Sequence, residues 1–167
     1  DAVVASVDDQ TLACVNTGTS LTLNNTITGG SGSYTYAWTG PNSFTSTTET
    51  PVINNIDASN SGVYNLTVTD SVGCESATAS GTITITDQPV DPIIQPVATI
   101  CDGETLEISI QNYVGTNVVY NWTFAGNPIS NNTPTLIIPS ATSANSGTYT
   151  VSVNVDGCVS DVSNIAI

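Results

Sequence analysis

The stretch Ser61-Gly62-Val63-Tyr64-Asn65-Leu66-Thr67-Val68-Thr69 decides the fold of this chain. From Tyr64 onward, apolar and polar residues alternate, which predicts a β-strand with one buried face. The stretch recurs as Ser146-Gly147-Thr148-Tyr149-Thr150-Val151-Ser152-Val153. We therefore predict that one strand-rich module has been duplicated.

Landmarks on either side of this stretch repeat at matching distances. Trp38 precedes Tyr64 by 26 residues, and Trp122 precedes Tyr149 by 27. Each module also opens with a cysteine and closes with a Gly-Cys pair, so the chain is expected to contain two domains, at residues 1–87 and 88–167. The cysteine landmarks are Cys14 with Gly73-Cys74 in the first module, and Cys101 with Gly157-Cys158 in the second.

The strand pattern and its landmarks are typical of one sandwich architecture. Short alternating runs are separated by turn signals such as Gly29-Gly30-Ser31-Gly32, and no stretch has helical periodicity. A tryptophan suits strand C, and Ser-Gly-x-Tyr suits the corner that enters strand F. The predicted fold class is all-β, with two tandem immunoglobulin-like β-sandwich domains end to end. Leu66 and Val151 stand where antibody domains place their second cysteine, so the usual inter-sheet disulfide is missing.

The charge composition excludes several functions. The 167 residues include no Lys, Arg or His and 14 carboxylates, which gives a formal net charge of -14. Nucleic acid and anionic membrane surfaces are bound through basic side chains, so neither is an expected partner. Without His or Lys, no Ser-His or Cys-His nucleophile can form, and we expect no enzyme activity. No apolar run approaches the roughly 18 residues of a spanning helix, so no membrane insertion is expected.

The cysteine spacing disfavours a disulfide inside each domain. Strands B and F of such a sandwich run the same way, with Ile108 and Val151 at their centres in the second module. Cys101 lies 7 residues before Ile108 and Cys158 lies 7 after Val151, which separates the two cysteines by roughly 46 Å. A disulfide needs Cα atoms about 4.4–6.8 Å apart. Pairing inside the domains, Cys14 with Cys74 and Cys101 with Cys158, stays open as the alternative.

A bond between the domains fits the spacing better. In a chain of sandwiches the bottom of one domain faces the top of the next. Cys14 is expected at the bottom of domain one, and Cys158 in the turn between strands F and G at the top of domain two. We predict a Cys14–Cys158 bond, which leaves Cys74 and Cys101 to pair with neighbouring repeats. Persistent disulfides indicate an extracellular or cell-surface location.

One cofactor, calcium, is suggested by acidic residues near the predicted junction. Asp57 lies in the E–F corner, Asp87 and Asp91 in the linker, and Asp156 in the last turn of the second module. Calcium binds six to eight oxygen ligands. No Asp-x-Asp-x-Asp-Gly loop is present, so solvated turn carboxylates remain the alternative interpretation.

Short motifs in both modules resemble those of a known group. The motifs are Cys101-Asp102-Gly103-Glu104-Thr105-Leu106, the two Ser-Gly-x-Tyr corners and Gly157-Cys158-Val159-Ser160, with Gly73-Cys74-Glu75-Ser76 as a second copy of the last. The chain is similar to the immunoglobulin-like and PKD-like repeats of very large secreted Bacteroidota proteins, including gliding-motility adhesins. Cys14-Val15-Asn16-Thr17-Gly18 matches the first motif less well. The resemblance implies a cell-surface setting. Asp70-Ser71-Val72 also resembles the O-glycan acceptor of Bacteroidota, which makes Ser71 a candidate glycosylation site.

Two hypotheses of function follow. The first is a structural repeat of a surface adhesin, a stiff acidic stalk that contacts neighbouring repeats of the same chain and projects a distal adhesive region. The proline-rich linker from Pro89 to Pro96 favours stiffness. The second is a module that binds a ligand such as surface polysaccharide through exposed aromatic residues. Candidates for that role are Tyr34, Phe44 and Tyr113.

Overall fold

The computed structural model describes the whole chain, Asp1–Ile167. It consists of β-strands, loops and three single-turn 3-10 helices, with no α-helix. The chain divides into two compact units, Asp1–Asp87 and Gln88–Ile167. None of its helices has the length and apolar character needed to span a membrane.

Unit 1 contains nine strands, and the alternating sequence explains their burial. In Gly62–Asp70, one of the two nine-residue strands, every second side chain from Tyr64 to Asp70 is buried. The strands are β1 (Val4–Val7), β2 (Gln10–Val15), β3 (Ser20–Thr22), β4 (Asn25–Thr28), β5 (Tyr34–Gly40), β6 (Phe44–Ser46), β7 (Val52–Asn54), β8 (Gly62–Asp70) and β9 (Ala79–Asp87).

Two layers of strands enclose the core of unit 1. One is a five-stranded sheet in the order β2-β9-β8-β5-β6, where β2 runs parallel to β9 and the other pairs are antiparallel. The other layer consists of the antiparallel pairs β1-β4 and β3-β7. In immunoglobulin terms β5 is strand C, β8 is strand F and β9 is strand G.

Unit 2 repeats this arrangement with seven strands. One layer pairs β10 with β13, and the other has the order β12-β11-β14, with β15 and β16 both paired to β14. Here β11 is strand C, β14 is strand F and β16 is the main part of strand G. The strands are β10 (Leu106–Ser109), β11 (Val118–Phe124), β12 (Asn127–Pro128), β13 (Thr135–Ile138), β14 (Thr148–Val155), β15 (Cys158–Val159) and β16 (Ser163–Ala166).

Each unit has its own core, centred on its tryptophan. Trp38 of β5 pairs with Leu66 of β8, and Trp122 of β11 pairs with Val151 of β14. All four side chains are at most 1% exposed. The apolar residue at the place of the missing cysteine therefore fills the space beside the tryptophan. The expectation that both tryptophans lie on strand C is confirmed, and both side chains pack in the core.

The corner before strand F has the predicted tyrosine in both units. Tyr64 donates a hydrogen bond from its hydroxyl to the carbonyl oxygen of Asn60 at 3.0 Å, and Tyr149 does the same to Asn145 at 2.8 Å. Both rings are fully buried. The chain is thus two tandem immunoglobulin-like sandwiches, as predicted.

Candidate functional site

A cysteine follows strand F in each unit, within the connection to β9 in unit 1 and at the start of β15 in unit 2. Ser76, two residues after Cys74, donates its backbone N–H to the carbonyl of Val68 at 2.8 Å, and its Oγ accepts the N–H of Val68 at 3.0 Å. Ser160, two residues after Cys158, makes the same two bonds to Val153 at 2.9 and 3.0 Å. Both serines are buried. The serine of the Gly-Cys-x-Ser motif therefore fixes the segment after strand F that carries the cysteine.

The four cysteines are in two different states. Cys14 and Cys158 are disulfide-bonded. Cys74 and Cys101 carry free thiols and are exposed. Neither pairing inside a unit, Cys14 with Cys74 or Cys101 with Cys158, is therefore formed.

The cysteines near the start of the two units are not structural equivalents. The segment Gln10-Thr11-Leu12-Ala13-Cys14-Val15-Asn16-Thr17-Gly18 aligns without a gap with Gln95-Pro96-Val97-Ala98-Thr99-Ile100-Cys101-Asp102-Gly103. Cys14 thus corresponds to Thr99, and Cys101 to Asn16. Cys14 lies at the irregular end of β2, where its φ is 57°. Cys101 lies in a turn, and its N–H donates to the carboxylate of Glu104 at 2.7 Å.

Asp70 organises the cysteine turn of unit 1. Its carboxylate accepts backbone N–H bonds from Ser31, Val72 and Cys74 at 3.0, 3.0 and 2.8 Å, and its side chain is only 6% exposed. Burial disfavours the charged form, but the backbone hydrogen bonds outweigh it and lower the pKa of Asp70. Sequence reasoning used this residue only as the neighbour of Ser71. The signal that could have identified its role is Asp at the start of the tight turn Asp70-Ser71-Val72-Gly73.

The four aspartates suggested for calcium each bind backbone nearby. Asp57 accepts hydrogen bonds from the hydroxyl and N–H of Ser59, which lower its pKa. The other carboxylates accept backbone N–H groups at 2.7–3.1 Å, and neither unit gathers three acidic or cysteine side chains in a group that could hold a metal ion. Calcium binding at these residues stays a hypothesis, with solvated turn carboxylates as the alternative. The pairs are Asp87 with Ala58, Asp91 with Asp161, and Asp156 with Thr116 and Asn117.

Ser71 lies in the exposed turn between β8 and β9. Its hydroxyl donates to the carbonyl of Ser31 at 2.7 Å. Ser71 is exposed and Val72 beside it is 71% exposed, whereas Asp70 is buried, so only the last two residues of the tripeptide lie on the surface of unit 1. The position is accessible to a modifying enzyme, and glycosylation of Ser71 stays a prediction.

The aromatic residues considered for ligand binding are half-buried and engaged with their own unit. Phe44 packs edge-on against Tyr64 with ring centroids 5.6 Å apart. The Tyr34 hydroxyl donates to the carbonyl of Gly29 at 2.5 Å. Tyr113 packs against Tyr120 at 6.4 Å and donates to the carbonyl of Val90 at 2.7 Å. These contacts give each ring a structural role, and no exposed aromatic platform results.

Comparison with solved structures gives the fold. An I-band fragment of titin is 14% identical and aligns over 98% of this chain and 63% of that one, with a TM-score of 0.56. The four N-terminal immunoglobulin domains of a Dscam1 isoform are 18% identical over 99% of this chain and 46% of that one, with a TM-score of 0.56. Extracellular domains 3–5 of Drosophila OTK are 14% identical over 96% and 59%, with a TM-score of 0.58. The chain spans less than two thirds of each of these structures.

Sequence comparisons add no closer relative. No protein-family model matches the chain. No curated protein matches it. The likeness to multi-domain immunoglobulin structures therefore establishes tandem immunoglobulin-like domains and nothing finer.

Proposed function

We propose that this chain is a structural repeat segment of a large secreted cell-surface adhesin, in which it forms a stiff, acidic, disulfide-stabilised stalk. The stalk projects a distal adhesive region for surface attachment or gliding motility. The proposal places the chain outside the cell and gives it no catalytic role of its own.

The observation that carries the proposal is the state of the two equivalent cysteines after strand F. Cys74 and Cys158 each follow strand F and precede a serine that makes the same hydrogen bonds, yet Cys158 is disulfide-bonded and Cys74 is free and exposed. This difference is explained if the cysteine after strand F forms, in every repeat, a disulfide with a cysteine of another module. We assign the partner of Cys158 as Cys14, and those of Cys74 and Cys101 as cysteines of neighbouring repeats.

The surface composition supports a stalk. The chain has no cationic side chain, a net charge of -14 and a surface rich in Thr, Ser and Asn. Such a surface repels anionic polymers and remains soluble without charge pairing. The absence of Lys and Arg also removes every site for proteases that cleave after basic residues.

Peptide mapping by mass spectrometry under non-reducing conditions tests the proposal. The digestion needs an acid-directed or thermolysin-type protease, because trypsin has no site. For the 167-residue chain we expect a Cys14–Cys158 crosslink and free Cys74 and Cys101. For the secreted protein of the native host we expect Cys74 and Cys101 in crosslinks to other modules. Crosslinks of Cys14 to Cys74 and of Cys101 to Cys158 would overturn the proposal.

A further inference from the structure

The proline-rich segment at the start of unit 2 is bound to that unit along its length. We call residues 88–93 the strap. The side-chain amide of Gln111 donates to the carbonyl of Asp91 at 3.0 Å and accepts the N–H of Ile93 at 2.7 Å. The hydroxyl of Tyr113 donates to a third backbone group of the strap at 2.7 Å. A segment whose sequence is typical of a linker is therefore a fixed part of unit 2.

The same strap holds the segment that contains Cys158. The side-chain amide of Gln88 donates to the carbonyl of Val159, the residue after Cys158, at 3.0 Å. The carboxylate of Asp91 accepts the N–H of Asp161 at 3.0 Å. The pairing of β15 with β14 also restrains this segment. The backbone position of Cys158 is therefore fixed by the strap and the sheet together.

This position decides which cysteine the thiol of Cys158 can meet. Cys158 is only 3% exposed, so its sulfur has little freedom to move independently of its backbone. A disulfide requires Cα atoms about 4.4–6.8 Å apart. A small displacement of residues 158–161 is therefore enough to change the ease with which the bond forms.

Unit 1 has no such strap. By the alignment of Gln10 with Gln95, the counterpart of residues 88–92 is residues 3–7. These residues include β1, which pairs with β4. No hydrogen bond joins them to residues 71–78, the segment after strand F. The strap is thus a feature of the unit whose cysteine after strand F is disulfide-bonded.

The strap follows directly on the last residue of β9. That residue, Asp87, pairs with Val15 in the parallel ladder of β2 and β9. Val15 is the neighbour of Cys14 in the sequence, as Val159 is the neighbour of the other bonded cysteine. Val15 contacts Asp87 and Val159 contacts Gln88, so the neighbours of the two cysteines bind adjacent residues of the chain.

We propose that Gln88 and Asp91 are positioning residues that select the disulfide partner of Cys158. By holding residues 158–161, they raise the effective concentration of this thiol at Cys14 and favour that pair over the pairings inside a unit. The inference rests on the proposed function, which assigns Cys14 as the partner. In the reaction, two protein thiols give up two protons and two electrons to form one disulfide, and an external disulfide such as glutathione disulfide is reduced to two thiols.

The test measures the equilibrium constant of this exchange in a glutathione buffer. The full chain carries Cys74→Ser and Cys101→Ser, so that only one disulfide can form. After acid quenching and alkylation, intact mass gives the oxidised fraction. Gln88→Ala combined with Asp91→Ala is expected to lower the constant about tenfold, because each change removes a hydrogen bond to the cysteine segment. Asp91→Asn keeps an acceptor oxygen and should restore the constant to within about twofold of the unsubstituted chain.

Two matched substitutions control for the loss of a polar side chain. Gln95→Ala removes an exposed amide whose one hydrogen bond, to the carbonyl of Ile93, is 3.5 Å long. Asp102→Ala removes an exposed carboxylate and changes the net charge as Asp91→Ala does. Both should leave the constant within about twofold, and tryptophan emission reports that the units stay folded. If the double variant unfolds, the single alanine variants, each expected to lower the constant about threefold, replace it.

Oxidative refolding of the chain with all four cysteines separates this inference from the proposed function. The reduced wild-type chain should form Cys14–Cys158 as its main product, whereas the double variant should give a larger share of Cys14–Cys74 and Cys101–Cys158. A wild-type chain without the Cys14–Cys158 bond would overturn the proposed function and this inference with it. With that bond present, equal constants for the wild-type and alanine variants, or an equal loss in the controls, would overturn the role of the strap alone.

Discussion

Ser76 and Val68 form two hydrogen bonds in which a serine side chain replaces one backbone group of a strand ladder. The Val68 N–H donates to the serine Oγ at 3.0 Å, while the Val68 carbonyl accepts the serine N–H at 2.8 Å. Ser160 and Val153 repeat the arrangement. The serine hydroxyl thus satisfies a buried N–H that the irregular start of strand G would leave unpaired.

Removal of this hydroxyl should destabilise either unit. Ser76→Ala and Ser160→Ala each leave a buried N–H without an acceptor, which costs about 1–3 kcal/mol of unfolding free energy. Urea denaturation followed by tryptophan fluorescence measures the loss, since each unit has one tryptophan in its core. Ser33→Ala and Ser130→Ala, at exposed positions, are the controls and should change the midpoint little. Equal midpoints for test and control variants would refute this role for the two serines.

The corner tyrosines give a second test of the fold. Tyr64→Phe and Tyr149→Phe remove the hydrogen bonds to Asn60 and Asn145 and should each cost about 1 kcal/mol. Burial raises the pKa of both phenols above the ordinary value of about 10. The neutral ring is therefore the form that the fold prefers, and its contribution is complete below pH 10 and is lost as the pH rises through the raised pKa. The Phe variants should lose less stability above pH 10 than the wild-type chain, as measured by Tm against pH.

Asp70 should make unit 1 sensitive to acid. Its pKa in the folded chain is below the ordinary value of about 3.9, so the carboxylate stabilises the fold above that pH and the contribution is lost as the pH falls through the lowered pKa. Asp70→Asn should lower the Tm at pH 7 because an amide nitrogen then faces backbone donors. The difference from wild type should shrink below about pH 4. Glu107→Gln, at an exposed position, changes the net charge equally and should show no such convergence.

The fold could be predicted from the sequence because its determinants are local and repeated. Alternation after Tyr64 and Tyr149 specifies one buried face of strand F, and the tryptophan spacing specifies the strand that packs beside it. Each feature depends on residues close in sequence. The same reasoning placed Val151 at the centre of its strand and Leu66 at the equivalent position of the first module, and both side chains are fully buried.

Interactions between distant turns could not be predicted in the same way. The carboxylate of Asp70 binds the N–H of Ser31, which is 39 residues away, and no periodic pattern marks that pair. The aromatic residues Phe44 and Tyr113 were ambiguous for a related reason. Their burial depends on the rings of Tyr64 and Tyr120, which sequence alone does not place beside them.

The calcium hypothesis predicts that added calcium raises the Tm. If the carboxylates only bind nearby backbone N–H groups, the Tm should not change. Asp57, Asp87, Asp91 and Asp156 each bind backbone N–H groups of their own unit. We therefore expect the same Tm in 2 mM calcium chloride and in excess EDTA, at an ionic strength matched with sodium chloride. Magnesium chloride is the control for general screening of the -14 charge. A Tm that rises with calcium but not with magnesium would show that these carboxylates bind the ion.

The thiol state of the four cysteines gives the sharpest prediction for the 167-residue chain. Cys74 and Cys101 are free and exposed, so a maleimide should label two thiols in the native chain. Denaturation without reductant should leave the number at two, and reduction should raise it to four, because Cys14 and Cys158 are disulfide-bonded. Cys74→Ser and Cys101→Ser should each remove one native label. Intact-mass measurement counts the labels directly. Four labels before reduction would contradict the bonded state of Cys14 and Cys158, and no label in the denatured chain would mean that Cys74 and Cys101 have paired.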